Sequence, residues 1–371
     1  MAPKRRFVPR TLCECRKALG ELETPALILA FDDCLPEGSD AKKGSVGEDD
    51  ADEPTGYAGL FRLLSKPKRG DWLDEHEELG QSFPQYAKRM APKSGGVLPR
   101  AVCDGLLICP VGKSFSADLE KRFMPHLLRY CAAFFPGMAV EVLDKPLSLK
   151  GVESRENDFG HKQYIIGDIF TMLNTHKEVI SRRRAYCRLA ITFEDIYPGA
   201  EWSYVFGQAR PLDRVGVFSF ARHSPLFYSG IHATEAMGQL ETKKLLSWMR
   251  GCRHTVVHET CHMLGILHCV YWHCLMNGNN GPGDQNGSSA FLCPVCLRKL
   301  LLAMSNLTGG TNLEVMYGRY VAMQASLREL ADEAGEEAPS SLHRDLAWLD
   351  LRRCQLRGMP PDWPPTPETA V

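Results

Sequence analysis

Residues 258–276, HETCHMLGILHCVYWHCLM, bring together the side chains of this chain that are best suited to bind a metal. His258 and His262 are four residues apart, so on a helix they lie on one face, one turn apart. Two imidazoles at that spacing can share one zinc ion at about 2.0–2.1 Å. Because glycine tolerates positive φ, a turn at Gly265 would bring His268 back as a third ligand. Three protein ligands and one open position are the arrangement of a catalytic zinc.

Glu259 directly follows the first of these histidines. Its carboxylate can reach a water bound to the metal, which is the place of a general base. The pattern H-E-x-x-H alone is short enough to arise by chance. Its extension by glycine and histidine, on a helix predicted over about residues 241–264, favours a metal site over coincidence.

Two more histidines lie close to this pattern. His254 is one turn before His258 on the same face, but three ligands from one straight helical face cannot surround a metal. We therefore expect His254 to support a ligand or to face solvent. His273 lies between two cysteines and is not expected to take part in the chemistry.

Four cysteines form a second pattern, C-x4-C followed by C-x2-C: Cys269, Cys274, Cys293 and Cys296. Four thiolates are the ligand set of a closed structural zinc site. They flank residues 277–290, a glycine-rich segment that requires such a clamp if it is to be ordered. Four buried free thiols are the alternative interpretation.

The complete pattern, H-E-x-x-H-x-x-G-x-x-H followed by Met276, is the metzincin signature of metallopeptidases. Within that clan, the C-x4-C-x-M continuation and the later C-x2-C resemble the archaemetzincins, also called archaelysin-family metallopeptidases. The segments YPGAEWSYVFGQA (197–209) and GVFSFAR (216–222) extend the resemblance upstream of the helix.

The resemblance implies two zinc ions per chain, one catalytic and one structural. The catalytic ion would be bound by His258, His262 and His268, with Glu259 as general base and Met276 in a Met-turn beneath the metal. The structural ion would be bound by the four cysteines. The edge strand of such a fold pairs with an extended substrate, and the candidates here are Gly216, Val217, Phe218 and Ser219.

Strand-like and helical patterns alternate between residues 104 and 222, which predicts an α/β (α+β) fold. We expect a mostly parallel, twisted mixed sheet flanked by helices, with room for one antiparallel edge strand. We divide the chain into an N-terminal extension with an acidic linker (1–95), a metzincin-like catalytic domain with the four-cysteine site (96–305), and a helical C-terminal extension with a proline-rich tail (306–371). The acidic linker, residues 34–56, is expected to be disordered.

Composition and charge exclude some classes of function. The 44 basic and 45 acidic residues nearly cancel, so there is no global electrostatic case for binding nucleic acid or a membrane surface. No apolar run approaches the roughly 20 residues of a membrane span, and no apolar run follows the basic start as in a secretory signal peptide. We expect a cytoplasmic or nuclear protein, in which reduced cysteines can bind metal. The sequence does not indicate an oligomeric state.

The predicted function is zinc-dependent hydrolysis of a peptide or protein substrate, in which Glu259 assists the attack of a zinc-bound water. Two alternatives stay open. One is a zinc-stabilised module that binds a peptide with little or no turnover, although a pure binder does not require a base beside the metal. The other is a zinc hydrolase of non-peptide amides, although an edge strand favours an extended peptide.

Overall fold

The computed structural model describes residues 7–22, 31, 60–96, 98–112, 117–280 and 289–358. The α-helices in this part of the chain are α1 (Leu12–Leu19), α2 (Trp72–Glu75), α3 (Phe83–Met90), α4 (Ala117–Phe134), α5 (Ile166–Thr175), α6 (Lys177–Ser181), α7 (Ala233–Gln239), α8 (Thr242–Met263), α9 (Pro294–Met304), α10 (Asn312–Ala334) and α11 (Ser340–Leu356). The strands are β1 (Gly105–Val111), β2 (Ala139–Val142), β3 (Ser154–Glu156), β4 (Lys162–Ile165), β5 (Ala185–Thr192), β6 (Asp195–Tyr197), β7 (Gly207–Arg210) and β8 (Val215–Ser219). The acidic linker, residues 281–288 of the glycine-rich segment and the tail from residue 359 lie outside the described residues.

A five-stranded mixed sheet forms the centre of the fold, in the order β2-β1-β5-β8-β7. Strands β2, β1, β5 and β8 run parallel to one another, and β7 pairs with β8 in the antiparallel direction at one edge. A smaller three-stranded sheet has the order β3-β4-β6. The predicted α/β class, with a mostly parallel sheet and one antiparallel edge, is confirmed.

Helices cover both faces of the large sheet, as the burial of β1 shows. Leu106 and Ile108 belong to a core shared with α4 and α8, whereas Leu107 and Cys109 belong to a second core shared with α5. Because successive side chains of a strand point to opposite faces, a strand covered on both sides is apolar throughout. Every residue of β1 is accordingly buried.

The predicted substrate-pairing strand was wrong. Strand β8, which contains Gly216, Val217, Phe218 and Ser219, is hydrogen-bonded to β5 on one side and to β7 on the other, and all of it is buried. A continuous apolar run of this kind is typical of an interior strand. The edge strand on this side of the sheet is β7. Its residues are partly buried or exposed, and it packs against α8.

Both flanking regions share a core with the central region. The larger apolar cluster includes Phe61 from the N-terminal region, Phe134 from α4 and Tyr320 from α10. Trp348 of α11 stacks on Phe291 with ring centroids 4.0 Å apart and meets Phe61 edge-on. The domain boundaries stay a prediction, but the described flanking segments pack directly on the central region.

Helix α11 also holds the middle of α8 through buried charge. The Asp345 carboxylate accepts two hydrogen bonds from Arg250, at 2.9 and 3.0 Å, and lies 3.6 Å from Arg253. Asp345 is only 4% exposed and Arg253 only 6%. A bidentate arginine–carboxylate pair fixes relative orientation as well as distance. The C-terminal helix therefore sets the position of the helix that carries the metal-binding motif.

None of the helices in the described ranges is long and apolar enough to cross a membrane.

Replacing Asp345 with alanine leaves the two guanidinium groups without their buried counter-charge. We expect the free energy of unfolding to fall by about 3–5 kcal/mol, measured by denaturant unfolding of the full chain. Asp332→Ala, at an exposed position of α10, is the matched control and is expected to change stability little. Equal stability of the two variants would contradict the clamping of α8 by α11.

Candidate metal centre

The end of α8 turns sharply, as the glycine in the motif predicts. The last helical residue is Met263, and Gly265 follows with φ +83°. The Gly265 N–H donates to the His262 carbonyl, and the Ile266 N–H donates to the Cys261 carbonyl. These two bonds form the glycine-dependent Schellman end of a helix. They satisfy the last carbonyls of α8 and lead the chain back past its own end.

The turn brings three imidazoles together. The ring nitrogens of His258, His262 and His268 that could bind a metal all lie within 4.8 Å of one another. Each ring has its Nδ1 beside an oxygen that can only accept a hydrogen bond. These oxygens are the Leu275 carbonyl for His258 at 2.8 Å, the Ile266 carbonyl for His262 at 2.7 Å, and a Glu78 carboxylate for His268 at 2.6 Å. Each Nδ1 is therefore the hydrogen-bond donor of its ring, which leaves Nε2 as the nitrogen that can offer a lone pair to a metal.

The distance between two of these nitrogens fits a shared cation. His258 Nε2 and His262 Nε2 are 3.0 Å apart. Two unprotonated nitrogens at this distance repel each other unless a positive charge lies between them. Two nitrogens on one tetrahedral zinc, at about 2.0–2.1 Å each, would be about 3.3 Å apart. The donor set therefore suits a zinc ion.

Burial keeps the rings of His258 and His262 neutral. It lowers the pKa of His258 to about 3, with nearby His268 acting in the same direction. Burial, followed by its two histidine neighbours, also lowers the pKa of His262 well below the usual range. Neutral imidazole is the form that binds a metal, so both rings are ready as ligands at neutral pH.

Glu259 lies beside the imidazole cluster. Its Oε1 is 4.0 Å from His258 Nε2, and its side chain is 16% exposed. Burial raises the pKa of the Glu259 carboxyl to about 7, and nearby His268 partly opposes this shift. A carboxyl group with a pKa near the working pH can both accept and release a proton.

The four cysteines meet in a second, fully buried cluster, with sulfur atoms within 4.8 Å of one another. Cys269 Sγ and Cys293 Sγ are 3.6 Å apart, far beyond a disulfide bond of about 2.05 Å. Two sulfurs on one tetrahedral zinc, at about 2.3 Å each, would be about 3.8 Å apart. Cys293 is also the N-cap of α9, where the helix dipole stabilises thiolates. This cluster suits a closed tetrahedral zinc site.

Met276 lies in the turn that joins the two clusters. Its side chain is fully buried, and its carbonyl accepts a hydrogen bond from the Cys269 N–H at 2.7 Å. The preceding residue, Leu275, supplies the carbonyl that orients His258. Met276 therefore links the loop that orients His258 to Cys269 of the second cluster, and its role as a Met-turn beneath the metal stays a prediction.

Asn277 is a functional candidate that sequence reasoning missed. Its amide nitrogen donates to the carbonyls of Cys269 and Trp272, and its amide oxygen accepts from the Cys274 N–H. These three bonds, all at 2.8–2.9 Å, fix the loop that carries the first two cysteines. The frequent use of asparagine in turns was the available signal.

Three further residues that reach the site come from the N-terminal region. The Gln81 amide donates to the Gly265 carbonyl and accepts from the Leu267 N–H, and the Tyr86 hydroxyl donates to the Leu264 carbonyl at 2.9 Å. Glu78 contacts His268. Nothing in the local sequence separates Glu78 from the acidic residues around it, because the contact depends on long-range folding.

The two flanking histidines do not join the imidazole cluster. His254 is 3% exposed, which excludes the solvent-facing alternative and leaves support of a ligand as a prediction. Burial is the main cause that lowers its pKa well below the usual range. His273 is partly buried, and burial lowers its pKa to about 4.

Replacing His268 with alanine removes one of the three nitrogen donors. We expect the histidine site to lose its metal while the cysteine site keeps its own, because the two sets share no ligand. Zinc per chain, measured by elemental analysis, should fall by one equivalent, whereas His343→Ala at an exposed position of α11 should not change it. Loss of all zinc from the His268 variant would show that the sites are not independent.

Replacing Cys293 with serine removes a thiolate donor from the second cluster. Since a structural metal contributes directly to folding, we expect the free energy of unfolding to fall by several kcal/mol. Thermal unfolding provides the measurement, with the exposed Cys13→Ser as control. Unchanged melting would favour buried free thiols over a zinc clamp.

Known proteins similar to this chain carry the archaemetzincin name. The chain is 30% identical to archaemetzincin-2 of Homo sapiens in an alignment of 307 positions that covers 77% of this chain and 80% of that protein. It is 28% identical to archaemetzincin-1 of Mus musculus in an alignment of 313 positions that covers 76% of this chain and 57% of that protein. No protein-family model matches the chain.

Solved structures of archaeal proteins are more distantly similar. The archaemetzincin of Methanopyrus kandleri is 20% identical, with a TM-score of 0.40, over 57% of this chain and 99% of its own. A zinc-dependent peptidase of Methanocorpusculum labreanum is 18% identical, with a TM-score of 0.37, over 53% and 99%. The family assignment rests on the sequence relatives. By its similarity to archaemetzincin-2 over most of both chains, this protein belongs to the archaemetzincin family of zinc metallopeptidases.

Proposed function

We propose that this protein hydrolyses peptide bonds with zinc bound by His258, His262 and His268, and with Glu259 as the general base. The observation that carries the proposal is the convergence of three imidazoles, with their Nδ1 atoms bonded elsewhere, beside the largely buried carboxylate of Glu259. A purely structural zinc site is closed by four protein ligands, and it does not require a titratable carboxyl group beside the metal.

The roles of the residues follow from their chemistry. A zinc ion in the histidine site would supply a Lewis acid that polarises a carbonyl and acidifies water. Glu259 takes a proton from the attacking water and delivers it to the leaving amine. The hydrogen bonds at each Nδ1 keep the three Nε2 lone pairs aimed at one point throughout. A second zinc ion on the four cysteines would fix the loop whose Leu275 carbonyl orients His258.

Strand β7 is the part of the sheet that suits an extended peptide. Within the described part of the chain it pairs with β8 on one side only, and Gln208 and Arg210 are exposed. The residue just before β7, Phe206, stacks on His223 at 4.8 Å, and His223 bonds to Thr255 one turn before Glu259. Main-chain pairing along β7 would thus lie close to the catalytic turn of α8.

Two alternative functions remain distinguishable from this one. A zinc-stabilised peptide binder would use the same edge of β7, but this function gives the largely buried Glu259 no role. A hydrolase of small non-peptide amides would use the metal and Glu259, but it leaves the strand edge without a role. A peptidase uses both features. A cytoplasmic or nuclear location stays a prediction.

Replacing Glu259 with glutamine keeps the side-chain shape but removes the base. We expect cleavage of a diverse peptide library to fall about 10²–10⁴-fold, at zinc content matched to the unchanged protein. Glu235→Gln, at an exposed position of α7, is the control and should cleave normally.

Each outcome of this experiment has a distinct meaning. Undiminished cleavage by Glu259→Gln would remove the general-base role. No cleavage by the unchanged protein, with both zinc ions present, would favour the peptide-binding module. Cleavage of small amides without cleavage of peptides would favour the non-peptide hydrolase.

A further inference from the structure

The third imidazole of the cluster is held differently from the first two. His258 and His262 donate to backbone carbonyls that belong to the motif's own turn and loop. His268 instead donates to a side chain 190 residues away, the Glu78 carboxylate, at 2.6 Å. A carboxylate is a stronger acceptor than a carbonyl, so it fixes the ring more firmly and makes the other ring nitrogen more basic.

Glu78 is itself held in place by an aromatic side chain. The Trp72 indole N–H donates to the same Glu78 oxygen at 2.9 Å, and the Trp72 ring lies edge-on to His268, with centroids 5.4 Å apart. On another side the indole lies against Gly278, where an added Cβ would be only 2.4 Å from a Trp72 ring carbon. The carboxylate therefore has little freedom to leave His268.

The N-terminal contacts divide into two kinds. Gln81 and Tyr86 bond to backbone atoms of the turn at residues 264–267 and so locate the chain. Among the side chains described from residues 60–96, Glu78 is the one that hydrogen-bonds to a metal-binding imidazole. A change at Glu78 should therefore alter the orientation and basicity of one ring while the turn keeps its bonds.

We propose that Glu78 is the positioning residue for His268, so that the N-terminal segment completes the metal centre. This inference rests on the proposed function, because it takes the three histidines as ligands of one zinc ion. It assigns a role to a region outside the metzincin motif. Carboxylate partners of zinc-binding histidines typically change metal affinity or activity about 10–100-fold when they are removed.

The test measures zinc affinity, which does not depend on turnover. Full-length Glu78→Ala and Glu78→Gln are compared with the unchanged protein by competition with a chromophoric chelator, and zinc on the cysteine cluster serves as internal reference. We expect Glu78→Ala to weaken the histidine site about 10–100-fold. Glu78→Gln keeps a hydrogen-bond acceptor without the charge and should be affected less.

Controls separate positioning from general damage. Glu77→Ala removes an adjacent, exposed carboxylate and should leave both affinities unchanged. In the His268→Ala background, removal of Glu78 should leave the zinc affinity of the cysteine site unchanged, since the ring that Glu78 holds is gone. Equal affinity of the histidine site in Glu78→Ala and the unchanged protein would overturn the inference, as would equal weakening of the cysteine site.

The proposed function can fail separately. If zinc binds and Glu78→Ala weakens it as expected, but no peptide is cleaved, then the positioning role stands without the peptidase activity. If the histidine site of the unchanged protein binds no zinc, both proposals are overturned.

Discussion

The metal centre depends on one constraint, which is that three Nε2 lone pairs must point at the same position. A single helix supplies two of them, since residues four apart lie on the same face. The third needs a chain reversal within a few residues, and Gly265 makes it by adopting a backbone conformation that other residues rarely adopt. Each ring is then fixed by a hydrogen bond at its other nitrogen. Without these bonds the rings would rotate freely and the donors would diverge.

The rest of the molecule supports the helix that carries the motif. The sheet packs along α8, and Asp345 of α11 pairs with two arginines at the middle of this helix. At the other end, Gln81 and Tyr86 hold the turn that follows it. The cysteine cluster fixes the loop whose Leu275 carbonyl orients His258. The C-terminal region therefore contacts α8 at its middle, and the N-terminal region contacts the turn at its C-terminal end.

The convergence of the three histidines was predictable because they are close in the sequence and their spacing has a geometric meaning. His258 and His262 share a helix face, and Gly265 occupies the expected helix end. The fold class was equally accessible, because strand and helix periods alternate through the central region. Both features depend on the spacing of residues that are close in the sequence, which can be read from one sequence alone.

The failures came from contacts between distant segments. The apolar run that ends at Ser219 was taken for an edge strand, although an apolar strand of this kind belongs in the sheet interior. The more polar β7 occupies the edge instead. Glu78 lies among other acidic residues, and only the folded chain distinguishes it by placing it against His268. No spacing rule connects residues that far apart.

The central claim is that this chain holds two separate zinc ions, one on three histidines and one on four cysteines. His268 and Cys269 are adjacent in the sequence but would bind different ions. Anomalous diffraction at the zinc absorption edge, from crystals of the full chain, tests it most directly. The account predicts two peaks, one among the Nε2 atoms of the three histidines and one among the four sulfurs. A single peak at the cysteines, with the histidines bound only to water, would contradict it.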